Sequence, residues 1–358
     1  MHFAGTHYNA RLRITSSAPT RIDLAGGTLD IWPLYLFHKN AQTLNVAITR
    51  RAECVLSPHP NSRLRLVATD IGSSIEVSSA AELENCDANP LLSRIARHFS
   101  ANSLVVSTRS DSPVGAGLAG SSALNVALCA AFRRWNHQSI EPEPLMQLAG
   151  DLEAQVINVP TGAQDYRPAT YGGIATLLLR PGLIERLPLP IDHDDLTARV
   201  LLAYTGQTRQ SGINNWLITK AHIDGDKAIF ALFEEIRDIA LSMRNALEHR
   251  HWNEVGRNTA AEWELRKRLA PSVTNAHVDQ IIQTGIDAGA MAGKLCGAGG
   301  GGCAIFIVEP DTRLAVQRAI ELSGAKILDY AVDTEGLIVE TDEDHGTDGC
   351  TPPITDAI

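Results

Sequence analysis

Glycine is clustered in this chain, and its placement limits the folds that the chain can adopt. Eleven of the 28 glycines fall into three clusters: Gly26-Gly27, the group Gly115, Gly117 and Gly120, and the stretch from Gly293 to Gly302. The glycine content itself is ordinary. Glycine lets the backbone turn through positive φ and lie close to another group. The clusters therefore predict three tight loops at which the backbone approaches something closely.

The length of 358 residues favours two domains or one large α/β unit. With 44% hydrophobic and 20% charged residues, the composition predicts a packed globular fold and not a disordered chain. The net charge is −10 and the sequence has no Lys/Arg-rich run, which argues against a nucleic-acid binder or an anionic-membrane binder. Any phosphate is therefore expected to be bound locally.

The cysteines and the N-terminus bear on the cellular compartment. The six cysteines form no CxxC pair and have no histidines at zinc-binding spacing, which favours inert thiols in a reducing compartment. The first residues contain no apolar signal-like region, and no segment approaches the ~18 apolar residues of a membrane span. We therefore expect a soluble cytoplasmic protein.

Hydrophobic periodicity predicts strands and helices in both halves of the chain. The first hundred residues are rich in strand patterns, beginning with a strand from Leu12 to Ala25. Helical patterns dominate the second half, at about 214–222, 227–249, 251–269 and 275–289. Because neither half alternates strictly between strand and helix, we predict an α+β fold rather than a doubly wound parallel sheet.

A turn-rich interval near residues 185–197, with two prolines and three aspartates, predicts a domain boundary. We assign residues 1–190 to an N-terminal domain and residues 197–342 to a C-terminal domain. Residues 343–358 are polar and are predicted to form a flexible tail.

The segment Pro113–Ala123, with the sequence PVGAGLAGSSA, lies between a predicted strand and a helix of small residues. Glycines at this point and the N–H groups of the helix N-terminus together form a typical phosphate cradle. The segment lacks the Gly-Lys-Ser/Thr of a Walker A loop and the acidic partner of a dinucleotide fingerprint. A glycine-rich helix entry with a serine cap is the alternative interpretation from these residues alone.

The same segment resembles the second motif of the GHMP kinases, the family of galactose, homoserine, mevalonate and phosphomevalonate kinases. That motif has the form P-x3-G-L-x-G-S-S-A, which residues 113–123 match at every fixed position. Residues 18–27, APTRIDLAGG, resemble the first motif, and residues 294–302, KLCGAGGGG, resemble the third. All three motifs occur in the order found in the family.

Within this superfamily the chain most resembles the D-glycero-D-manno-heptose 7-phosphate kinase branch and its sugar-kinase relatives. The stretches from Arg21 to Asp30 and from Tyr204 to Ser211 carry this similarity. The chain departs from the branch at Thr28-Leu29, where relatives have Gly-Thr before the aspartate. This departure lies in a loop that is expected to touch the sugar, and it bears on which sugar is bound.

The resemblance implies the architecture and the reaction. It implies an N-terminal domain similar to the second domain of ribosomal protein S5, a ferredoxin-like C-terminal domain, and an active site between them. The implied reaction is Mg²⁺-assisted transfer of the ATP γ-phosphoryl group to a hydroxyl of a sugar or sugar phosphate. No nucleic acid or membrane is expected as a partner, and the protein could be a monomer or a homodimer.

The resemblance also assigns residues. The catalytic pair is Asp165, which would orient the acceptor hydroxyl and take its proton late, and Arg21, which would keep Asp165 ionised or screen the γ-phosphate. Ser122 and Glu153 would ligate Mg²⁺. The nucleotide-binding residues would be Pro113, Gly115, Gly117, Leu118, Gly120, Ser121, Ser122 and Ala123. The substrate-binding residues would be Gly26, Gly27, Asp30, Thr205, Gly206, Arg209, Gly299 and Gly300.

Several alternatives stay open at the level of sequence. Glu153 could be a solvated helix-face residue, Asp165 a turn residue, Asp30 a turn residue or helix cap, and residues 297–302 a flexible turn. A mevalonate or phosphomevalonate kinase of the same superfamily is one alternative function. A nucleotide-binding sensor without turnover is an alternative from another functional class.

Overall fold

The structure is a computed structural model that describes residues 12–343, except residues 85, 87, 209 and 210. The strands are, in chain order, β1 (Leu12–Ala25), β2 (Gln42–Pro58), β3 (Leu64–Ala68), β4 (Ser73–Val77), β5 (Leu104–Ser110), β6 (Ile174–Arg180), β7 (Leu183–Pro188), β8 (Val200–Tyr204), β9 (Ala292–Leu295), β10 (Cys303–Ile307), β11 (Lys326–Ile327) and β12 (Ile338–Glu343). The helices are α1 (Pro90–His98), α2 (Gly120–Trp135), α3 (Pro142–Ile157), α4 (Tyr166–Tyr171), α5 (His193–Arg199), α6 (Ser211–Ile223), α7 (Lys227–Glu248), α8 (Trp252–Leu269), α9 (Ala276–Asp287) and α10 (Arg313–Leu322). Short 3₁₀ helices cover Leu34–Phe37, Ala80–Leu83 and Pro271–Val273.

An eight-stranded sheet forms the N-terminal half in the order β12-β1-β2-β5-β3-β4, with β6 pairing with β2 and β7 with β6. Burial changes along β1 from alternating to continuous: residues 12–17 alternate, whereas residues 18–25 are all buried. Alternation is typical of a sheet with one covered face, and continuous burial of a sheet covered on both faces. The second half of β1 therefore lies between two layers of protein.

The helix α2 packs along β1 and β2 and is buried over most of its length. Its alanines and other small side chains allow this close approach to the sheet, and α3 and α4 pack beside it. A strand pattern leading into the glycine loop and then into this helix is thus present as the sequence predicts. The glycine loop is held at one end by the N-terminal core.

A second, four-stranded antiparallel sheet in the order β11-β8-β10-β9 forms the C-terminal half. Phe306 packs where two glycines leave room, because a Cβ on Gly285 would lie 2.4 Å from its ring and one on Gly293 would lie 2.9 Å away. Gly293 therefore serves core packing. Mixed strands and helices in two halves confirm the predicted α+β, two-domain architecture.

The last strand departs from the predicted domain limits. We assigned residues up to 342 to the C-terminal domain, but β12 pairs with β1 in the N-terminal sheet, with Leu12 opposite Glu343. Pairing with β1 satisfies the edge of that strand, which would otherwise be exposed. At the other predicted boundary, β7 still belongs to the first sheet and α5 begins at His193. Residues 344–358 of the predicted tail lie outside the described residues.

A buried cluster of four charged side chains joins the two halves. Lys294 on β9 donates hydrogen bonds to Asp23 Oδ1 at 2.8 Å, to Glu262 Oε2 at 2.6 Å and to the Leu24 carbonyl at 3.0 Å. Arg266 on α8 contacts Asp23 Oδ2 at 3.3 Å and donates to the Gly297 carbonyl. All four charged side chains are almost fully buried. With two acids and two bases, the charges balance.

This pairing overcomes the desolvation of each group. Burial disfavours the ionised form of Asp23, but the charges of Lys294 and Arg266 hold the pKa of Asp23 well below its usual value. Burial likewise disfavours the Lys294 cation, but Asp23 and Glu262 raise the pKa of Lys294 above its usual value. The pairing therefore favours the charged forms of Asp23 and Lys294, and the cluster fixes β1 against the C-terminal domain.

Substitution of Lys294 tests the importance of this cluster. Lys294→Met leaves Asp23 and Glu262 buried without their shared cation, so we expect the free energy of unfolding to fall by ~3–5 kcal/mol. Urea denaturation of the full chain measures this loss. The matched control is Lys220→Met, which removes an exposed lysine paired with Asp224 and should cost less than ~1 kcal/mol. Equal, small losses for both variants would contradict the role of the cluster.

No helix in the described part of the chain is both long and apolar enough to cross a lipid bilayer.

Candidate active site

A cavity of about 340 Å³ opens at the contact between the two domains. Its lining includes the glycine loop and the start of α2, together with residues of the segment 160–165, Asp30 and Arg21. Gly297 and Ala298 reach it from the C-terminal domain. The N-terminal half therefore forms most of the cavity, and the C-terminal half closes part of it.

The glycine loop turns sharply before α2 begins. Gly115 and Gly117 have positive φ, and Ala119, just before the helix, is also left-handed at φ 58°. Of the predicted nucleotide-binding residues, the ones that line the cavity are Pro113, Gly115, Gly117, Gly120, Ser121 and Ser122. Backbone N–H groups at the start of α2 have no helical acceptor and carry the positive end of the helix dipole. This wall can hold an anion without a basic side chain.

Two of the predicted nucleotide-binding residues are instead core residues. Leu118 and Ala123 are 0% and 1% exposed and do not line the cavity. The Leu118 carbonyl accepts a hydrogen bond from the Arg21 N–H at 2.9 Å. An apolar side chain within a tight loop anchors that loop to the core, so these two side chains hold the loop in place.

Glu153, on α3, lies beside the start of α2 and accepts three hydrogen bonds. Ser121 Oγ donates to Oε1 at 2.7 Å, and Ser122 Oγ and Tyr166 Oη donate to Oε2 at 2.8 and 2.7 Å. Burial raises the pKa of Glu153, and the three hydroxyl donors act against that rise. Glu153 is therefore no solvated helix-face residue. No sequence pattern pointed to Tyr166, because its hydroxyl reaches Glu153 only when α4 packs beside α3.

Arg21 holds the Asp165 carboxylate in position. Its guanidinium donates to Asp165 Oδ1 through Nε at 3.0 Å and through Nη2, and to the Gly117 carbonyl through Nη1 at 2.7 Å. The Arg21 side chain is buried, whereas that of Asp165 is 26% exposed. Burial opposes the Arg21 charge, but Asp165 and Asp23 raise its pKa. One arginine thus ties the glycine loop to a carboxylate that faces the cavity.

Asp30 lies beside Asp165 and is 2% exposed. Its Oδ2 accepts a hydrogen bond from the Gln164 N–H at 2.8 Å. Burial raises the pKa of Asp30 to about 7, and the Asp165 carboxylate adds to the rise. The preceding Thr28 also lines the cavity and has φ 80°, a conformation that a β-branched residue rarely adopts. The departure from the family pattern at this loop therefore lies at the cavity wall.

The structure corrects the prediction for Gly26 and Gly27. Neither lines the cavity. A Cβ at Gly26 would lie 2.2 Å from the Gln42 carbonyl oxygen, and one at Gly27 would lie 2.5 Å from Asp23 Oδ2. The Gly26 N–H also donates to Glu262 at 2.8 Å. These glycines make room for the backbone and the buried charge cluster, and not for a substrate.

Four predicted substrate residues near the third glycine cluster also lie away from the cavity wall. Thr205 donates its hydroxyl to the Gly302 carbonyl at 2.7 Å, which closes the glycine-rich turn. A Cβ at Gly299 would lie 2.5 Å from the Val273 carbonyl oxygen, and the Gly300 N–H donates to that oxygen at 2.7 Å. Gly206 is exposed. Arg209, the remaining predicted substrate residue, lies outside the described residues.

Part of the lining was not predicted from the sequence. One end of the cavity is formed by the turn between β3 and β4 and by the start of α1, with the side chains Ala68, Asp70, Ile71, Asn89, Leu91 and Leu92. Gln164, which lies next to Asp30, and Asn215 also line the cavity. Ile71 is half exposed in the polar turn between β3 and β4. An isolated isoleucine in such a turn is the sequence signal that points to this part of the cavity.

The charge of the lining is mainly negative. Four carboxyl side chains line the cavity: those of Asp30, Asp70, Glu153 and Asp165. Arg21 is the single cationic side chain among the described residues of the lining, and it is bonded to Asp165. An anion held here needs the loop N–H groups and an added cation to offset this charge.

Two family profiles and several known proteins are similar to this chain in sequence. Residues 88–173 match the family profile described as GHMP kinases N terminal domain, and residues 243–326 match the one described as GHMP kinases C terminal. The D-glycero-alpha-D-manno-heptose 7-phosphate kinase of Campylobacter jejuni is 28% identical over 335 residues, which covers 90% of this chain and 98% of that protein. A mevalonate kinase of Thermococcus sibiricus is 25% identical over 358 residues, covering 92% and 99%.

Solved structures agree on the fold. The crystal structure of a D-glycero-D-manno-heptose 1-phosphate kinase from Bacteroides thetaiotaomicron superposes with a TM-score of 0.75 at 24% identity, covering 92% of this chain and 100% of that one. Both domains match the family in the order in which they occur here, and the glycine loop lies where the two domains meet. This chain therefore carries the N-terminal and C-terminal domains of the GHMP kinases, in the order of that family.

Proposed function

We propose that this protein transfers the γ-phosphoryl group of ATP to a hydroxyl of a sugar or sugar phosphate. One observation carries the proposal: the glycine loop with the N-terminus of α2 and the Arg21–Asp165 pair line the same cavity. Phosphoryl transfer needs the donor phosphate and the acceptor hydroxyl held in line, together with charge stabilisation. The relative with 28% identity over most of the chain is described as a heptose 7-phosphate kinase, which supports a sugar rather than mevalonate as acceptor.

ATP would lie along the glycine loop. Its phosphates would accept hydrogen bonds from the N–H groups at the start of α2, which is the usual arrangement for phosphate at a helix N-terminus. The apolar side chains Ile71, Leu91 and Leu92 line the end of the cavity near α1, with Asn89 beside them. Such a surface suits a flat base that needs apolar contact and a few polar groups.

Asp165 would act on the acceptor hydroxyl. Arg21 binds one carboxylate oxygen, Oδ1, and Asp165 is partly exposed toward the cavity, so the carboxylate can accept a hydrogen bond from a hydroxyl. That bond orients the attacking oxygen, and the proton passes to Asp165 as the new O–P bond forms. The bonds from Arg21 hold the Asp165 carboxylate in position for this role.

Ser122 and Glu153 fit a magnesium ion by their chemistry. Both offer hard oxygen atoms next to the loop that would hold the phosphates. In the described part of the chain, no group of three or more His, Cys, Asp or Glu side chains is placed to hold a metal, so phosphate oxygens and water would complete its ligands. Mg²⁺ bound here would neutralise phosphate charge against the acidic lining.

Substitution of Asp165 tests the reaction. Asp165→Asn keeps a hydrogen-bond acceptor for Arg21 but removes the base, so we expect kcat to fall roughly 10²–10⁴-fold while ATP still binds. The assay is ADP release with heptose 7-phosphate, L-fucose, D-galactose and mevalonate as acceptors. Asp151→Asn, an exposed position on α3, is the control and should turn over normally. Near-normal turnover of Asp165→Asn would remove Asp165 from its role, and ATP binding without ADP release for every acceptor would favour a sensor.

Metal dependence tests the Ser122 and Glu153 assignment. Ser122→Ala removes one hard ligand, so we expect the Mg²⁺ concentration for half-maximal activity to rise roughly 10-fold or more. Chelation with EDTA should abolish the activity of the unaltered protein. Ser139→Ala, at an exposed position, should leave the Mg²⁺ requirement unchanged. A Ser122→Ala variant with the wild-type Mg²⁺ requirement would contradict this assignment.

The raised pKa of Asp30 predicts a pH dependence of acceptor binding. Hydroxyl donors stabilise the charged carboxylate, so binding should release a proton, and the acceptor Kd should rise up to ~10-fold per pH unit below about 7. The charged and titratable groups that face Asp30 are Asp165, Arg21, Arg167 and Tyr35. Asp30→Asn should lose this slope between pH 5.5 and 8, because asparagine does not titrate. A slope that persists in the variant would assign it to another group.

A further inference from the structure

Two buried oxygens at the acceptor end of the cavity have no hydrogen-bond partner. They are Asp30 Oδ1 and Gln164 Oε1, and neither accepts a bond from any residue that the structure describes. The side chains are 2% and 5% exposed. Of the described side chains with such an unpaired buried nitrogen or oxygen, these two are the ones that line the cavity. Because unpaired buried acceptors are costly and rare, a ligand is expected to supply their donors.

The two residues are held next to each other by the backbone. The Gln164 N–H donates to Asp30 Oδ2 at 2.8 Å, and the Ala163 N–H donates to the Asp30 carbonyl at 3.3 Å. Gly162 permits this contact, since a Cβ there would lie 2.2 Å from Asp30 Oδ2. The carboxylate is therefore fixed through one oxygen, and the other is left for a ligand.

The charge around this pair disfavours a phosphate group at Asp30 itself. Arg167 also faces Asp30, but it is paired with Glu143 and does not line the cavity. Asp30 and Asp165 place two carboxyl groups at this end of the cavity, and Arg21 already bonds Asp165 and the Gly117 carbonyl. A phosphate beside Asp30 would meet like charge, with no uncommitted cation among the described lining residues. It would also offer acceptors where donors are needed. Neutral hydroxyl groups satisfy both requirements.

We propose that Gln164 extends the acceptor site assigned to Asp30: its Oε1 accepts a hydrogen bond from an acceptor hydroxyl next to the one that Asp30 binds, so that this part of the acceptor carries two neighbouring free hydroxyl groups. This inference rests on the proposed phosphotransfer function and narrows its substrate class. It makes Gln164 a specificity-determining residue, although no sequence motif pointed to it.

The test measures acceptor binding by calorimetry on the full chain, with ADP release followed in parallel. The probes are L-fucose, D-galactose and D-mannose, the 6-phosphates of galactose and mannose, and single-deoxy forms of each sugar or sugar phosphate that binds. Gln164→Met keeps the side-chain length but removes both amide groups. We expect each compound that the wild type binds to bind this variant about 10-fold or more weakly.

The deoxy sugars make the test specific to a hydroxyl. Removal of the hydroxyl that Gln164 accepts should weaken binding to the wild type about as much as Gln164→Met does, and should cost the variant almost nothing, because the two changes remove the same bond. Thermal unfolding and ATP binding of Gln164→Met close to those of the wild type rule out a merely structural loss. Gln147→Met, at an exposed glutamine bonded to Asp151 on α3, should change nothing.

Three results would overturn the inference: wild-type affinity of Gln164→Met for every sugar or sugar phosphate that the wild type binds, a loss in this variant that removal of no single hydroxyl reproduces, or no binding of any sugar or sugar phosphate tested. Binding of a sugar or sugar phosphate that depends on Gln164 but gives no ADP release would support the recognition and contradict the phosphotransfer function. The two proposals therefore fail by different measurements.

Discussion

Lys294 is bonded to both Asp23 and Glu262 in the interior, and the rest of the site depends on that contact. The lysine and Glu262 come from the C-terminal domain, and Asp23 comes from β1 of the N-terminal sheet. A buried charge without its partner is far costlier than a surface one, so this cluster defines one docking position for the domains. Arg266 of this cluster also donates to the Gly297 carbonyl, and Gly297 lines the cavity, so the docking position affects the shape of the cavity.

The strand β1 connects this cluster to the chemistry. Arg21 and Asp23 are two residues apart, so their side chains lie on the same face of the strand. One binds Asp165 and the glycine loop, and the other binds Lys294 and Arg266. The position of the proposed catalytic pair and the docking of the domains are therefore set by neighbouring residues of one buried strand. The continuous burial of residues 18–25 follows from the same contact.

Long periodic segments were predicted well, and short ones were not. The strand Leu12–Ala25 occurs at the predicted limits, and the helices predicted at 227–249 and 251–269 are Lys227–Glu248 and Trp252–Leu269. The strands Ser73–Val77 and Ala292–Leu295 and the helix Tyr166–Tyr171 were missed, because four to six residues are too few to display a period and tertiary contacts decide their conformation. For the same reason, no sequence pattern pointed to Tyr166 or Gln164 as site residues. The structure brings Arg21 to Asp165 and Ser122 to Glu153, while their catalytic and metal roles stay proposals.

The three glycine clusters separate what the sequence determined from what the tertiary structure decided. The sequence by itself determined the loop at residues 115–120, because its glycines, serines and following helix form a local unit that can bind an anion wherever it is placed. It also identified Gly26-Gly27 and residues 297–302 as points of close approach. Only the tertiary structure decided what approaches them: a backbone carbonyl and the buried charge cluster at the first, and the neighbouring Val273 and Ala116 backbone at the second. The physical reason is that a missing Cβ creates space, whereas the identity of the group that fills it depends on residues far away in the chain.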